Sequence, residues 1–133
     1  MRDLGRRLLA AGLLLLAACA PASAAPTVET VHVEIHYSAF SLGNLHVDPG
    51  ETVRFLVSNT DPIDHEFIIG DAAVQIAHEL GTEAYHPPRP GEITIPAGAT
   101  VETTYTFGTR DLLFGCHLPG HYAYGMRGAI SVG

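Results

Sequence analysis

The sequence predicts an all-β domain, a sandwich or barrel of seven to eight short strands with one short helix. Three observations carry that reading. Apolar and polar residues alternate over short stretches, the period of a half-buried strand. Clusters of Gly, Pro, Asn and Asp punctuate those stretches at short intervals. Only Ala72 to Leu80 has helical spacing with flanking start and stop signals.

The elements follow in chain order. Val31, Val33, Ile35 and Tyr37 alternate with His32, Glu34 and His36, which predicts a first strand with the former set turned inward. Leu45 and Val47 open a second strand, and Asp48-Pro49-Gly50-Glu51 is turn chemistry. Thr52 to Ser58 presents Val53, Phe55 and Val57 on one face and Arg54 on the other, before Asn59-Thr60-Asp61-Pro62 breaks the run. Glu66 to Ile69 is a short strand ended by Gly70-Asp71. Asp71 suits the N-cap of the helix, and Gly81 its stop. The proline-rich segment from Gly81 to Gly91 reads as an irregular surface loop. Ile93 and Ile95 return to strand, and Pro96-Ala97-Gly98 turns the chain. Val101, Thr103, Tyr105 and Phe107 then alternate inward, and Leu112 to Cys116 and Gly128 to Val132 are the last two strands.

The first 25 residues read as a secretory leader. Arg2, Arg6 and Arg7 precede the apolar run Leu8 to Ala18, and small residues follow. That run is far short of the ~20 residues that span a bilayer. Two processing routes fit. Ala22-Ser23-Ala24 suits ordinary cleavage, whereas Leu16-Ala17-Ala18-Cys19 resembles a lipobox that would leave Cys19 lipidated. The product is expected in the periplasm, either free or tethered to a membrane only by a lipid on Cys19. Residues 26–133 form one domain, expected to be monomeric and large enough for a core without disulfides. Cys116 is its single cysteine. A lone thiol is commonly a buried, inert side chain, but its neighbours here point to chemistry.

There is no lysine, and removing the leader's three Arg and one Asp leaves a net charge of about −9. Such a surface disfavours nucleic acid, whose binding depends on neutralising phosphates with Lys and Arg. It suits a basic protein partner through electrostatic steering, or serves solubility alone.

The informative segment runs Cys116-His117-Leu118-Pro119-Gly120-His121-Tyr122-Ala123-Tyr124-Gly125-Met126, a C-x4-H-x4-M loop between two predicted strands. Thiolate, imidazole and thioether are donors that suit copper in both oxidation states. Gly120 and Gly125 give the backbone freedom near the ion. A second imidazole is available in Asp64-His65-Glu66-Phe67, far upstream at the start of a strand. Zinc fits less well, because structural zinc prefers several Cys or His and rarely uses Met.

This pattern resembles the cupredoxins, the blue copper proteins that include plastocyanin, azurin and rusticyanin. It resembles in particular small bacterial periplasmic cupredoxins with a His-Glu-Phe motif. The resemblance covers roughly residues 37 to 133 and implies a Greek-key β-sandwich. It implies that Cys116, His65 and His121 are equatorial ligands of one type 1 copper ion, with Met126 as a long axial ligand. It also places His121 nearest the surface, ringed by Leu118, Pro119, Tyr122 and Tyr124. One departure stands out: many cupredoxins carry Asn after the first ligand His, and this chain has Glu66. Glu66 could face solvent, bond a backbone amide near Cys116, or place a negative charge that favours Cu(II).

Other histidines are less specific. His32 and His36 share a strand face with Glu34 and could bind a second metal weakly, although a solvated face explains them. His117 should point away from the ion, and His46 should sit on a strand surface. His78 with Glu79, and His86, could form a copper-loading site, although exposed histidines are the ordinary reading. The resemblance implies a non-enzymatic carrier of single electrons that docks to a redox partner such as a basic cytochrome-like protein. The alternative is a copper carrier or copper-tolerance protein. A nitrite-reductase-like or multicopper oxidase activity would need further copper centres that the sequence does not supply.

Overall fold

The computed structural model describes residues 28–82 and 87–133. The leader with Cys19, and His86, lie outside the described residues. Two sheets pack face to face. The first has the strand order β2-β1-β4-β7, formed by β1 (Glu29–His36), β2 (Ala39–Phe40), β4 (Thr52–Asn59) and β7 (Thr100–Thr106). The second has the order β3-β9-β8-β5-β6, formed by β3 (Asn44–Val47), β5 (His65–Gly70), β6 (Glu92–Ile95), β8 (Leu112–Gly115) and β9 (Arg127–Val132). β1 runs parallel to β4 and β3 parallel to β9, while the remaining pairs are antiparallel.

The core lies between the sheets because alternation sends every second side chain inward. Val33, Ile35, Val53, Phe55 and Val57 come from the first sheet, and Phe67, Ile69, Ile93, Ile95, Phe114 and Ile130 from the second. Phe67 is the hub. Its ring lies 5.3 Å from that of Phe55, 5.4 Å from Phe114 and 5.5 Å from Phe40. Of these, Phe55, Phe67 and Phe114 are fully buried, and each contributes ~1.5–3 kcal/mol from area alone. Cys116 and Met126 belong to the same buried cluster, so the candidate metal loop caps one end of the core.

The helix α1 (Ala72–Glu79) forms as the sequence predicts. The Asp71 carboxylate accepts from the N–H groups of Ala73 and Val74. Gly81 ends the segment at φ +69°, a conformation that costs glycine little. The buried residues of α1 are polar, however. Gln75 donates through Nε2 to the carbonyls of Ile68, Gly70 and Leu113, which fastens the helix to β5 and β8. Among the described residues no helix is long and apolar enough to cross a membrane.

Two differences from the expected layout have a physical cause. There are nine strands among the described residues rather than seven or eight, because a two-residue strand, β2, folds back on β1. Tyr37 does not continue the inward alternation. It is 84% exposed, and with Ser38 it forms the two-residue turn between β1 and β2, at φ +51° and +53°. Hairpins favour such doubly left-handed turns but normally place Asn or Gly there. Tyr-Ser gives no local signal for one. The turn is held from outside, by the Asp61 carboxylate, which accepts both N–H groups at 2.7 Å.

Candidate metal centre

β5 begins at His65 and pairs antiparallel with β8, setting Ile68 opposite Gly115. This register brings the first residue of one strand to the end of the other, where Cys116 follows β8. The loop then turns back through Gly120 (φ +85°) and Gly125 (φ +104°) before β9. Its own backbone bonds close it: Cys116 N–H donates to Met126 O at 3.1 Å and Met126 N–H to His121 O at 2.9 Å. A short, doubly fastened loop therefore returns His121 to the neighbourhood of Cys116.

One donor atom each from His65, Cys116 and His121 lies within 4.8 Å of the others. Cys116 Sγ is 3.8 Å from His65 Nδ1 and 3.6 Å from His121 Nδ1. With metal–sulfur bonds of ~2.3 Å and metal–nitrogen bonds of ~2.0 Å, trigonal donors stand about 3.7 Å apart. The observed spacings match that figure, so the residues fit an ion of this size. His65 and Cys116 are fully buried, and His121 is partly exposed. His121 is thus the ligand candidate nearest solvent, as expected. Met126 is buried beside them and held through its backbone.

The surroundings define the state of each donor. Asp61 Oδ2 lies 2.9 Å from His65 Nε2. A carboxylate only accepts, so Nε2 carries the proton and Nδ1 keeps its lone pair toward the sulfur. Burial acts to raise the Asp61 pKa, but the N–H groups of Ser38 and Tyr37 and the His65 ring outweigh it, and the net shift is downward. Burial pushes the Cys116 thiol up against the pull of the Glu66 and Leu118 amides, and the Glu66 and Glu79 charges add to the rise. Burial and the neighbouring His65 hold His121 below its ordinary value, against a smaller opposing effect of Asp61. A neutral imidazole is the form that binds metal.

Glu66 takes the second of the roles open to it. Its carboxylate accepts from His117 N–H at 3.1 Å, and its own N–H points at Cys116 Sγ at 3.4 Å. It ties the two ligand-bearing segments together. His117 points away from the cluster and packs on α1: Nδ1 is 2.9 Å from Glu79 Oε2 and Nε2 is 2.8 Å from Gln75 Oε1. Tyr122 stacks on His117 at 4.7 Å, and the Arg127 guanidinium lies over the Tyr122 ring at 5.1 Å, so this ring supports the site from within as well as bordering it. Tyr124 stands 94% exposed.

The other histidines separate. His32 and His36 are exposed, with His36 Nδ1 2.9 Å from Thr60 Oγ1. His46 lies on the strand surface, bonded to Ser131. His78 is not an exposed loop residue: it is buried, with Nδ1 3.0 Å from Val74 O and Nε2 3.6 Å from Glu92. Sequence reasoning missed Asp61, reading it only as part of a turn. Its spacing four residues before His65 was the available signal.

The family model for copper-binding proteins of the plastocyanin/azurin family matches residues 27–133. The copper-resistant cuproprotein CopI of Rubrivivax gelatinosus is 34% identical over 117 residues, covering 84% of this chain and 71% of that protein. CopI of Pseudomonas aeruginosa is 29% identical over 147 residues, covering 84% and 80%. Among solved structures, auracyanin A of Chloroflexus aurantiacus superposes with a TM-score of 0.65 at 24% identity, covering 80% of this chain and 100% of that one. Auracyanin B gives 0.66 at 22% identity, covering 84% and 93%. Fold, donor cluster and family match agree: the chain belongs to the plastocyanin/azurin family of copper-binding proteins.

Proposed function

We propose that the protein is an exported, non-enzymatic copper protein. It holds one type 1 ion through His65, Cys116 and His121, with Met126 as the long axial donor, and moves single electrons by Cu(I)/Cu(II) cycling. The observation that carries this reading is the spacing of sulfur and two imidazole nitrogens, with His65 and Cys116 buried and His121 partly exposed. A His2Cys set with a weak thioether suits both oxidation states. Donors already placed within a packed core need move little as the charge changes. The protein supplies that preorganisation, and His121, partly exposed, offers the path to a partner. The acidic surface supports a basic redox partner, and a monomer suffices for such docking.

A second reading, copper tolerance by sequestering or delivering the ion, is favoured by the names of the similar proteins, which are copper-resistant cuproproteins. The leader supports export in either case, with a periplasmic or Cys19-anchored product.

One experiment separates the two. The copper-loaded protein is cycled repeatedly between oxidised and reduced forms, with and without an apo copper acceptor. An electron shuttle keeps its copper throughout, whereas a carrier loses it to the acceptor in its Cu(I) form. Failure to bind copper at all would remove both readings.

A further inference from the structure

The Asp61 side chain does two things at once. Oδ1 accepts from Tyr37 N–H, and Oδ2 accepts from both Ser38 N–H and His65 Nε2, at 2.7, 2.7 and 2.9 Å. One buried carboxylate therefore joins the metal cluster to a surface turn on the other sheet. We propose that Asp61 is a positioning residue of the metal centre and that, through it, metal occupancy is coupled to the order of the Tyr37–Ser38 turn.

Asp61 is itself held firmly enough to transmit the link. Its N–H donates to Asn59 Oδ1 at 3.0 Å, and the Asn59 amide donates to the carbonyls of Ile63, Ile95 and Pro96. Thr60, between them, bonds Ile35 O through both its N–H and its hydroxyl. The turn, by contrast, is flanked only by the two-residue pairing of β2 with β1 and by the Glu34–Ser41 bonds behind it. Neither residue is Gly, Asn or Asp, yet both are left-handed, a conformation that ordinary side chains disfavour. Order in the turn thus leans on the carboxylate.

The coupling has a chemical basis. A metal ion on Nδ1 draws density from the imidazole and makes Nε2–H a stronger donor. The carboxylate in return orients the ring and raises its basicity. Linkage makes the effect reciprocal: what steadies the turn through Asp61 strengthens metal binding, and metal binding steadies the turn. Tyr37, 84% exposed and resting on His36 at 3.9 Å, then presents a surface that differs between empty and loaded protein.

The inference rests on His65 as a copper ligand, and the tests keep the two apart. Hydrogen exchange at the Tyr37 and Ser38 amides is measured in wild-type protein without metal and with Cu(I). Loading should slow both by about tenfold or more; equal rates overturn the coupling. Asp61→Asn offers an N–H2 where an acceptor is needed. It should weaken Cu(I) binding about ten- to a hundredfold, change the EPR spectrum of the Cu(II) form, and remove the loading-dependent protection. Unchanged affinity and spectrum overturn the positioning role. Adding Tyr37→Asn and Ser38→Gly to that variant gives a turn that holds itself. It should restore slow exchange but not affinity; recovery of both would reduce Asp61 to a scaffold for the turn. If Asp61→Asn does not fold, the His65 tautomer in wild-type apo protein decides by nitrogen NMR: Nε2–H is expected, and Nδ1–H overturns the proposal. Loss of copper binding in wild type would instead defeat the ligand assignment.

Discussion

Glu66 accepts the peptide N–H of His117 at 3.1 Å, across two segments that the pairing of β5 and β8 brings together. The same residue directs its own N–H to the sulfur of Cys116. Removing the carboxylate by Glu66→Ala should loosen the position of Cys116 relative to His65 and cost about ten- to a hundredfold in copper affinity. Glu66→Gln keeps an acceptor of the same reach and should lose much less. Competition titration of both variants against a copper chelator checks the order.

Cys116→Ser should abolish the strong visible thiolate-to-copper band of the Cu(II) protein. Serine fills nearly the same space in a fully buried position, so the fold should survive. An optical spectrum beside a thermal melt checks both halves, and a surviving band would remove Cys116 from the centre.

Met126→Leu should leave copper bound and raise the reduction potential, because a weak donor to Cu(II) is lost while a buried side chain of similar volume is kept. Redox titration reads the direction. A fall would contradict the axial role.

Gly128→Ala should destabilise the fold by about 1–3 kcal/mol. An added methyl would press on the Phe114 ring and on the backbone carbonyl of Gly43; the ring is fully buried and the carbonyl accepts the Ala129 N–H. Urea unfolding of the apo protein checks the figure. Alanine at Gly108, where nothing lies within 4 Å of the added atom, serves as the control.

Much of this architecture was legible in the chain. The alternation at Val53, Phe55 and Val57, the capping Asp71 and the Cys116–Met126 spacing each express local physics, a period or a cap, that sequence displays directly. The site was readable because three of its four proposed ligands share one loop. What escaped was non-local. The Tyr37–Ser38 turn is stabilised by a carboxylate on a different segment, so Tyr37 looked like a strand residue. His78 looked exposed because the inward face of α1 is polar, and periodicity arguments read polar residues as solvated. Glu66 could not be placed from sequence, because its bond to the His117 amide depends on the β5–β8 register and is not visible locally.

The proposed ligand loop sits between the last two strands, and its distant partner His65 is delivered by β5 pairing with β8. A growing chain consequently presents the His65 imidazole well before the three loop donors, which then arrive together. The loop is closed on its far side by β9, which pairs with β3 and β8. Topology thus ties completion of the donor set to the pairing of one strand, β9.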